Sequence, residues 1–367
     1  MKAKTDKQVS MASVLQPFVD SRSLAGGVTL VADKNRILSL EAVGFANIST
    51  KKKMATDSIF WIASQSKPIT ATALMMLVDE GKVRVDDPVE AYLPEFKDQW
   101  LAVEQDKDHI LLKKPKHPIT VRNILSHTSG MPFCSAVETP TLDQLPLRAA
   151  VRSYAMTPLQ FQPDTKYQYS NAGTNTAGCI IEVVSGIPYE TFLDRRLFGP
   201  LGMKDTSFRP TAAQIRRIAT SYKPNADKTD MEELTIEQLT YPLNDPRRQP
   251  MPAGGLFSTA SDVGRFCQMI LNGGAFNGKR YLSKAAVRRM TCKQTADSVK
   301  ESYGFGWSTD GATFGHGGAF ATNMSIDPKH GLILVFLVQH AGFPGNGDKS
   351  HAAFREAAEN GFGRMPR

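Results

Sequence analysis

Helical and strand-like hydrophobic patterns occupy different parts of this chain. Near the start, an amphipathic stretch at residues 9–20 predicts a helix. Two apolar runs at 28–32 and 37–43 follow, separated by a short polar turn, and predict a β-hairpin. A second helical pattern begins at Ser64 and ends at Gly81, because glycine is typical of the residue just beyond a helix.

Strand-like patterns return only near the other end of the chain. Runs at 303–308, 321–326 and 332–338 predict strands, and residues 352–358 predict a closing helix. Between residues 84 and 293 the sequence has many prolines and glycines, several helical patches and few alternating runs. Strands at both ends and helices between them predict one antiparallel sheet built from both ends of the chain.

These patterns predict an α/β (α+β) fold, with an antiparallel sheet flanked by helices and joined to a mostly helical lobe. We expect residues 1–80 and 296–367 to form the α/β lobe and residues 81–295 to form the helical lobe. Polar, proline-bearing excursions at 94–118 and 222–252 are expected to be long ordered loops of the helical lobe.

Composition narrows the class of protein but not its substrate. The 367 residues are 41% hydrophobic and 22% charged, which is typical of a globular enzyme-sized chain. The net charge is +8, but the basic residues are scattered and form no nucleic-acid motif, so we expect no nucleic-acid partner. No apolar run is long enough to predict a transmembrane helix. Oligomeric state stays open.

The N-terminus leaves the compartment open. Residues 1–7 are charged and lack the apolar segment of a secretion signal. The chain is therefore expected to be cytoplasmic, or periplasmic or secreted if a leader has been removed.

The cysteines and histidines give no sign of a metal site. Four widely spaced cysteines, at positions 134, 179, 267 and 292, show no metal-ligand spacing, and the seven histidines form no HExxH motif. We therefore expect free, mostly buried thiols, no metal and no cofactor.

Ser64-Gln65-Ser66-Lys67 stands at the start of the second helical pattern. Residues three apart in a helix share a face, so Ser64 and Lys67 are predicted to meet. A serine hydroxyl becomes a good nucleophile when a neighbour takes its proton. A lysine one turn away can do that, or can hold the group that does. The same spacing recurs at Ser49–Lys52, in a polar stretch without apolar periodicity, which predicts a solvated turn.

Two companion motifs follow the serine–lysine pair in a fixed order. Tyr169-Ser170-Asn171 comes about a hundred residues later, and Gly315-His316-Gly317-Gly318 lies near the C-terminus. With these motifs, and with segments 123–132 and 252–262, the chain resembles the class C β-lactamase and penicillin-recognising serine hydrolase superfamily, which includes family VIII carboxylesterases and D-peptidases. The resemblance covers roughly residues 10 to 360. It implies that family's fold, with the active site between the α/β lobe and the helical lobe.

The resemblance also implies catalytic roles. Ser64 would carry the acyl group, and Tyr169 is the leading candidate for the general base in acylation and for the acid at the leaving group. Asn171 would hydrogen-bond Lys67 and the substrate carbonyl. Lys67 itself can act as a base only if it is desolvated or close to other cations, because its unperturbed pKa is about 10.4.

The third motif bears on substrate binding. His316 stands where the family often has a lysine, and a histidine is about half-titrated near neutral pH, which weakens the case for an efficient β-lactamase. Gly317 and Gly318 would let a strand come close to the substrate. The amides of Ser64 and Ala319 are the expected oxyanion donors. His127, in the 123–132 loop, is expected to be structural rather than a base.

The sequence therefore predicts a serine hydrolase that forms and hydrolyses an acyl-serine on small esters or amides. An esterase-like activity is the leading interpretation. A β-lactamase and a D-amino-acid peptidase or amidase are alternatives, and so is a penicillin-binding sensor or scaffold that acylates without turnover. The expected partner is a small-molecule ester, amide or β-lactam.

Overall fold

A seven-stranded antiparallel sheet forms the centre of the protein. The computed structural model describes residues 9–138 and 141–363. The strands in these described residues are β1 (Gly26–Ala32), β2 (Ile37–Asn47), β3 (Lys52–Lys53), β4 (Phe60–Trp61), β5 (Leu101–Gln105), β6 (Ile110–Lys113), β7 (Ser221–Pro224), β8 (Met231–Leu234), β9 (Phe257–Ser258), β10 (Ala275–Phe276), β11 (Lys279–Arg280), β12 (Ser308–Thr309), β13 (Phe314–Gly317), β14 (Asn323–Asp327) and β15 (Leu332–Leu337). The order in the central sheet is β12-β13-β14-β15-β1-β2-β3.

Helices cover this sheet and fill the chain between its two halves. They are α1 (Met11–Asp20), α2 (Ser66–Asp79), α3 (Val121–Ser126), α4 (Leu147–Met156), α5 (Asn171–Ser185), α6 (Tyr189–Leu193), α7 (Gly199–Leu201), α8 (Ala212–Ile215), α9 (Ala260–Leu271), α10 (Lys284–Thr291) and α11 (Ser350–Phe362). The predicted fold class, with one antiparallel sheet made from both chain ends, is confirmed. The division of the chain at residues 80 and 295 into two lobes stays a prediction.

The two central strands, β1 and β15, are fully buried and contain no polar residue except Thr29, because both of their faces are covered. On β15, Ile333 and Val335 point into the main core, and Leu334 and Phe336 point into a second core with α1 and α11. Helix α9 packs on the opposite side from α1 and α11. Strands buried on both sides read as continuous hydrophobic runs rather than as alternating ones.

Helix α2 lies in the interior and brings its first turn to the site. Every residue from Ser66 to Leu77 is buried, so the helix is enclosed on all sides. The strand β4, just before it, pairs with β9. The pairing of β4 and the packing of α2 therefore hold the backbone in place on both sides of Ser64.

Two of the predicted strands differ from the structure. Residues 303–307 form a turn instead of a strand, because Gly306 has a φ of 75° and its amide donates to the Leu125 carbonyl. The strand predicted at 321–326 is β14, which begins at Asn323, since Ala321 adopts a left-handed turn with a φ of 61°. Both corrections lie beside the site, where the backbone turns toward α2 and α3.

The two polar excursions, expected to be ordered loops, also contain short β-hairpins. The first contains the hairpin β5–β6 and the second contains the hairpin β7–β8. The charged residues 1–7, on which the question of a leader depends, lie outside the described residues.

The four cysteines, all in the described ranges, are free. The expectation that most are buried is wrong for Cys292, which is exposed, and for Cys134, which is half-buried. In the described part of the chain, no cluster of three or more His, Cys, Asp or Glu side chains is arranged to hold a metal ion. No described helix is long and apolar enough to cross a bilayer.

Candidate active site

Ser64 lies in a tight 3₁₀ turn, Ala63–Gln65, that leads directly into α2. Ala63 adopts a left-handed conformation with a φ of 46°, which is uncommon for a residue other than glycine and is typical of strained functional turns. Ser66 holds the turn: its hydroxyl donates to the Ala63 carbonyl at 2.7 Å and accepts from the Leu256 amide at 3.3 Å. Ser64 is partly exposed, while its neighbours on both sides are buried.

Lys67 meets Ser64, as the spacing predicted. Its Nζ atom lies 3.1 Å from Ser64 Oγ, 2.8 Å from Asn171 Oδ1 and 2.8 Å from the Ala253 carbonyl oxygen. The side chain is completely buried, and this desolvation lowers the pKa of Lys67 well below its usual value. As an ammonium, Lys67 donates to all three of these oxygens. In its free-amine form it donates two hydrogens to the two carbonyl oxygens, and its lone pair then faces the Ser64 hydroxyl.

Tyr169 and Asn171 flank this amine from the start of α5. Ser170 caps the helix, because its hydroxyl accepts from the Gly173 amide at 3.0 Å and donates to the Pro132 carbonyl at 2.6 Å. Lys67 Nζ lies 4.5 Å from the centre of the Tyr169 ring. Burial raises the pKa of Tyr169, although a hydrogen bond with Ser64 acts in the opposite direction. Tyr169 therefore keeps its proton in the resting site, and its role as general base or acid stays a prediction.

His316 lies on β13 and is 7% exposed. Its Nδ1 lies 2.7 Å from the Gly317 carbonyl, which can only accept, so Nδ1 carries the hydrogen and donates. Its Nε2 then accepts from the Tyr303 hydroxyl at 2.9 Å. Burial lowers the pKa of His316 to about 3. The expectation of a half-titrated histidine at neutral pH is thus wrong, because the sequence could not show that the ring is enclosed.

Gly317 and Gly318 have different surroundings. A Cβ atom on Gly318 would lie 2.1 Å from Thr322 Oγ1 and 2.5 Å from the Ile62 carbonyl, whereas a Cβ on Gly317 would meet nothing closer than 3.7 Å. The end of β13 therefore reaches the segment before Ser64 only because residue 318 is glycine. Ala319 is exposed beyond it, and its role as an oxyanion donor stays a prediction.

The contrast between these glycines gives a matched test. Gly318→Ala is expected to destabilise the protein by roughly 1–3 kcal/mol through overpacking and to lower kcat/KM, because it pushes β13 away from the Ser64 turn. Gly317→Ala is expected to leave the thermal midpoint nearly unchanged. Thermal unfolding and ester hydrolysis of both variants check this, and equal loss in the two variants would contradict it.

His127 lies beside the catalytic candidates, although the sequence predicts a structural role for it. The ring is 1% exposed and lies 4.5 Å, centre to centre, from Tyr169. Its Nδ1 accepts from the Ser170 amide at 3.2 Å, so the ring hydrogen is on Nε2. Neither nitrogen of the neutral ring then has a free lone pair with which to take the Ser64 proton. The interpretation of His127 as a non-base is consistent with this geometry.

Three contributors to the site have no motif of their own. The Ala253 carbonyl accepts a hydrogen bond from Lys67, and the Ala253 amide donates one to the Asn175 side chain. The Tyr303 hydroxyl is hydrogen-bonded to His316. Ala253 lies in the 252–262 segment that the resemblance had singled out, but nothing in the sequence indicated that its carbonyl is the contact. Asn175 follows Asn171 by one helical turn, and this spacing was the one signal available.

Comparison with known proteins agrees with the motifs. A family model described as Beta-lactamase matches residues 11–359. The chain belongs to the β-lactamase family. An uncharacterised protein of Mycobacterium tuberculosis (strain CDC 1551 / Oshkosh) is 32% identical over 363 residues, covering 89% of this chain and 88% of the relative. A Salmonella heidelberg (strain SL476) protein named D-alanyl-D-alanine carboxypeptidase is 27% identical over 344 residues, covering 84% and 77%.

Solved structures show the same β-lactamase-family fold. EstCE1, described as a hydrolase with promiscuous acyltransferase activity, matches with a TM-score of 0.79 at 23% identity over 95% of this chain and 97% of that chain. Simvastatin synthase LovD from Aspergillus terreus has a TM-score of 0.79 at 18% identity, with the same coverage. The predicted resemblance is confirmed for family and fold. Both support a serine hydrolase as the class of enzyme.

Proposed function

We propose that this protein hydrolyses small, neutral carboxylic esters through an acyl-enzyme on Ser64. One observation carries the proposal: three basic side chains, Lys67, His127 and His316, meet at the site, and burial lowers the pKa of each. A buried free amine can act as a base toward Ser64. With its pKa lowered to about 3, His316 supplies no positive charge for a substrate carboxylate at the position of the third motif.

The proposed chemistry uses two proton carriers. Lys67 takes the Ser64 proton as Oγ attacks the ester carbonyl, and the resulting oxyanion is stabilised by backbone amides. The departing alkoxide takes the hydroxyl proton of Tyr169, which is reprotonated by the Lys67 ammonium. Water then attacks the acyl-Ser64 carbonyl and gives one proton to the same pair. Ser64 leaves with that proton, and a carboxylic acid is released.

An apolar side chain at the site favours esters further. Phe133 is 48% exposed, and its ring stacks on Tyr169 with the ring centres 6.3 Å apart. The Phe133 carbonyl accepts from the amides of Asn171 and Ala172 at 2.9 and 3.0 Å, which holds the residue in place. An exposed aromatic ring beside the proposed acid gives an uncharged substrate group a surface to pack on.

A matched pair of substrates tests the charge argument. p-Nitrophenyl butyrate and mono-p-nitrophenyl succinate have similar length and the same leaving group, but only the succinate carries a carboxylate. We expect kcat/KM to be about fivefold higher for the butyrate, because one partly solvated charge contact is worth roughly 1 kcal/mol. Nitrocefin and D-alanyl-D-alanine peptides, assayed in parallel, are expected to be turned over more slowly still.

Protein whose Ser64 has been blocked with a fluorophosphonate supplies the background rate for each substrate. A preference for the succinate ester would contradict the neutral-substrate proposal. Faster turnover of nitrocefin would favour the β-lactamase alternative.

A D-amino-acid peptidase is the second candidate function. The Salmonella relative named D-alanyl-D-alanine carboxypeptidase favours it, since it aligns over 84% of this chain. The neutral His316 argues against it, because a carboxypeptidase must hold a terminal carboxylate. Release of D-alanine at a rate above that of ester hydrolysis would reverse this order.

A further inference from the structure

One face of α5 lies against the segment that holds Lys67. Asn171, Asn175 and Gly178 follow one another at helical spacing and so share this face. Asn171 contacts Lys67 directly, and Asn175 contacts Ala253. A Cβ atom on Gly178 would lie 2.3 Å from Pro252 Cγ, so the helix and this segment are in the closest contact their backbones allow.

The orientation of the Asn175 amide is fixed on both sides. Its Oδ1 accepts from the Ala253 amide at 3.0 Å, and its Nδ2 donates to the Tyr154 hydroxyl at 2.9 Å. That hydroxyl donates in turn to Glu138, which also accepts from the Ser135 amide at 2.7 Å. Asn175 is 2% exposed, so water cannot replace these bonds without opening the core.

Ala253 passes this constraint to the reacting atoms. Its amide is held by Asn175, and its carbonyl accepts from Lys67 Nζ at 2.8 Å. Pro252, one residue earlier, is held by Thr70, whose hydroxyl donates to its carbonyl at 2.8 Å. The Lys67 amine has one lone pair, so the positions of its two acceptors decide whether that lone pair faces Ser64.

We propose that Asn175 is a positioning residue that keeps the Ala253 carbonyl, and through it the Lys67 lone pair, aligned with Ser64. The inference rests on the proposed role of Lys67 as the base, but not on the identity of the ester. Asn171 fixes one hydrogen of the amine directly, and Asn175 fixes the other through Ala253.

Two variants disturb Ala253 by different means. Asn175→Leu removes both hydrogen bonds while keeping a similar volume. Gly178→Ala removes no polar group but pushes Pro252 and Ala253 away from α5. The rate at which a fluorophosphonate labels Ser64 is measured for each from pH 5 to pH 10, together with kcat and KM for p-nitrophenyl butyrate, on variants whose thermal unfolding shows that they are folded.

We expect labelling and kcat to fall by about tenfold to a hundredfold in both variants, with KM within twofold of the original protein, because a misplaced base slows the chemical step. The loss persists on the high-pH plateau, where a simple change in the pKa of Lys67 would disappear. Thr176→Val is the matched control. It removes a buried hydroxyl on the same helix, which donates to the Ala172 carbonyl at 2.8 Å, and it is expected to label at the original rate.

Labelling of either folded variant within twofold of the original protein overturns the proposal, as does an equal loss in Thr176→Val. If instead labelling changes as expected while no protein, including the original, hydrolyses the esters, the positioning role stands and only the proposed substrate fails.

Discussion

Ser64→Ala is expected to lower kcat for ester hydrolysis by about 10⁴- to 10⁶-fold, the range seen when the nucleophile of a coupled catalytic unit is removed. The reason is that Lys67 then has no hydroxyl to activate, and hydrolysis can proceed only by direct attack of water. Mass spectrometry after fluorophosphonate treatment is expected to place the adduct on the peptide that contains Ser64.

The chain supplies its own control for this experiment. Ser49 and Lys52 repeat the serine–lysine spacing, but Ser49 is exposed and its hydroxyl donates to Asn47 at 2.9 Å. Lys52 donates instead to the Arg216 carbonyl. Ser49→Ala is therefore expected to be fully active. An adduct on Ser49 or Ser129, or substantial activity of Ser64→Ala, would show that the nucleophile has been misassigned.

Lys67→Met is expected to lower kcat/KM by about 10²- to 10⁴-fold, the range for a general base, while Lys52→Met leaves it unchanged. In the original protein, kcat/KM is expected to rise with pH as the ammonium of Lys67 loses its proton. Because burial lowers the pKa of Lys67, the midpoint of that rise lies well below the usual 10.5. His316 adds no inflection near pH 6.5, since its pKa is about 3.

The pH–rate profile of kcat/KM between pH 4 and pH 10 checks both statements. A midpoint near 10.5 would remove Lys67 as the base.

The double variant Tyr169→Phe with Lys67→Met is expected to lose much less kcat/KM than the product of the two single losses, because the two side chains pass the same proton. Losses that multiply would show that the two residues act separately.

Much of the fold could be predicted because its signals are local. Because both faces of β1 and β15 are buried, each strand is a nearly continuous apolar run. The polar turn 33–36 joins β1 to β2. The serine–lysine pair could be predicted for the same reason, since a spacing of three residues brings both side chains to one face even though Ser64 lies in the 3₁₀ turn that leads into α2. Where the local signal misled, as at 303–308, the conformation is set by a contact with the Leu125 carbonyl far away in sequence.

The electrostatic state of the site could not be predicted in this way. Whether Lys67 and His316 are charged depends on how completely other segments enclose them, and enclosure has no sequence motif. Asn175 shows the same limit. Its partners, Tyr154 and the Ala253 amide, belong to a different helix and to a turn almost eighty residues further on.

The pairing of β1 with β15 determines when, during synthesis, the protein can become catalytically active. Val28 lies opposite Leu337, so the middle of the sheet closes only when nearly the whole chain is present. During synthesis, the ribosome releases Ser64 and Lys67 long before it releases β13, which carries His316 and the glycines beside the Ser64 turn. Such long-range pairing folds slowly. A nascent chain, or one truncated before β13, would therefore carry the nucleophile without the strand that completes its cleft, and hydrolysis would begin only after β13 and β15 have left the ribosome.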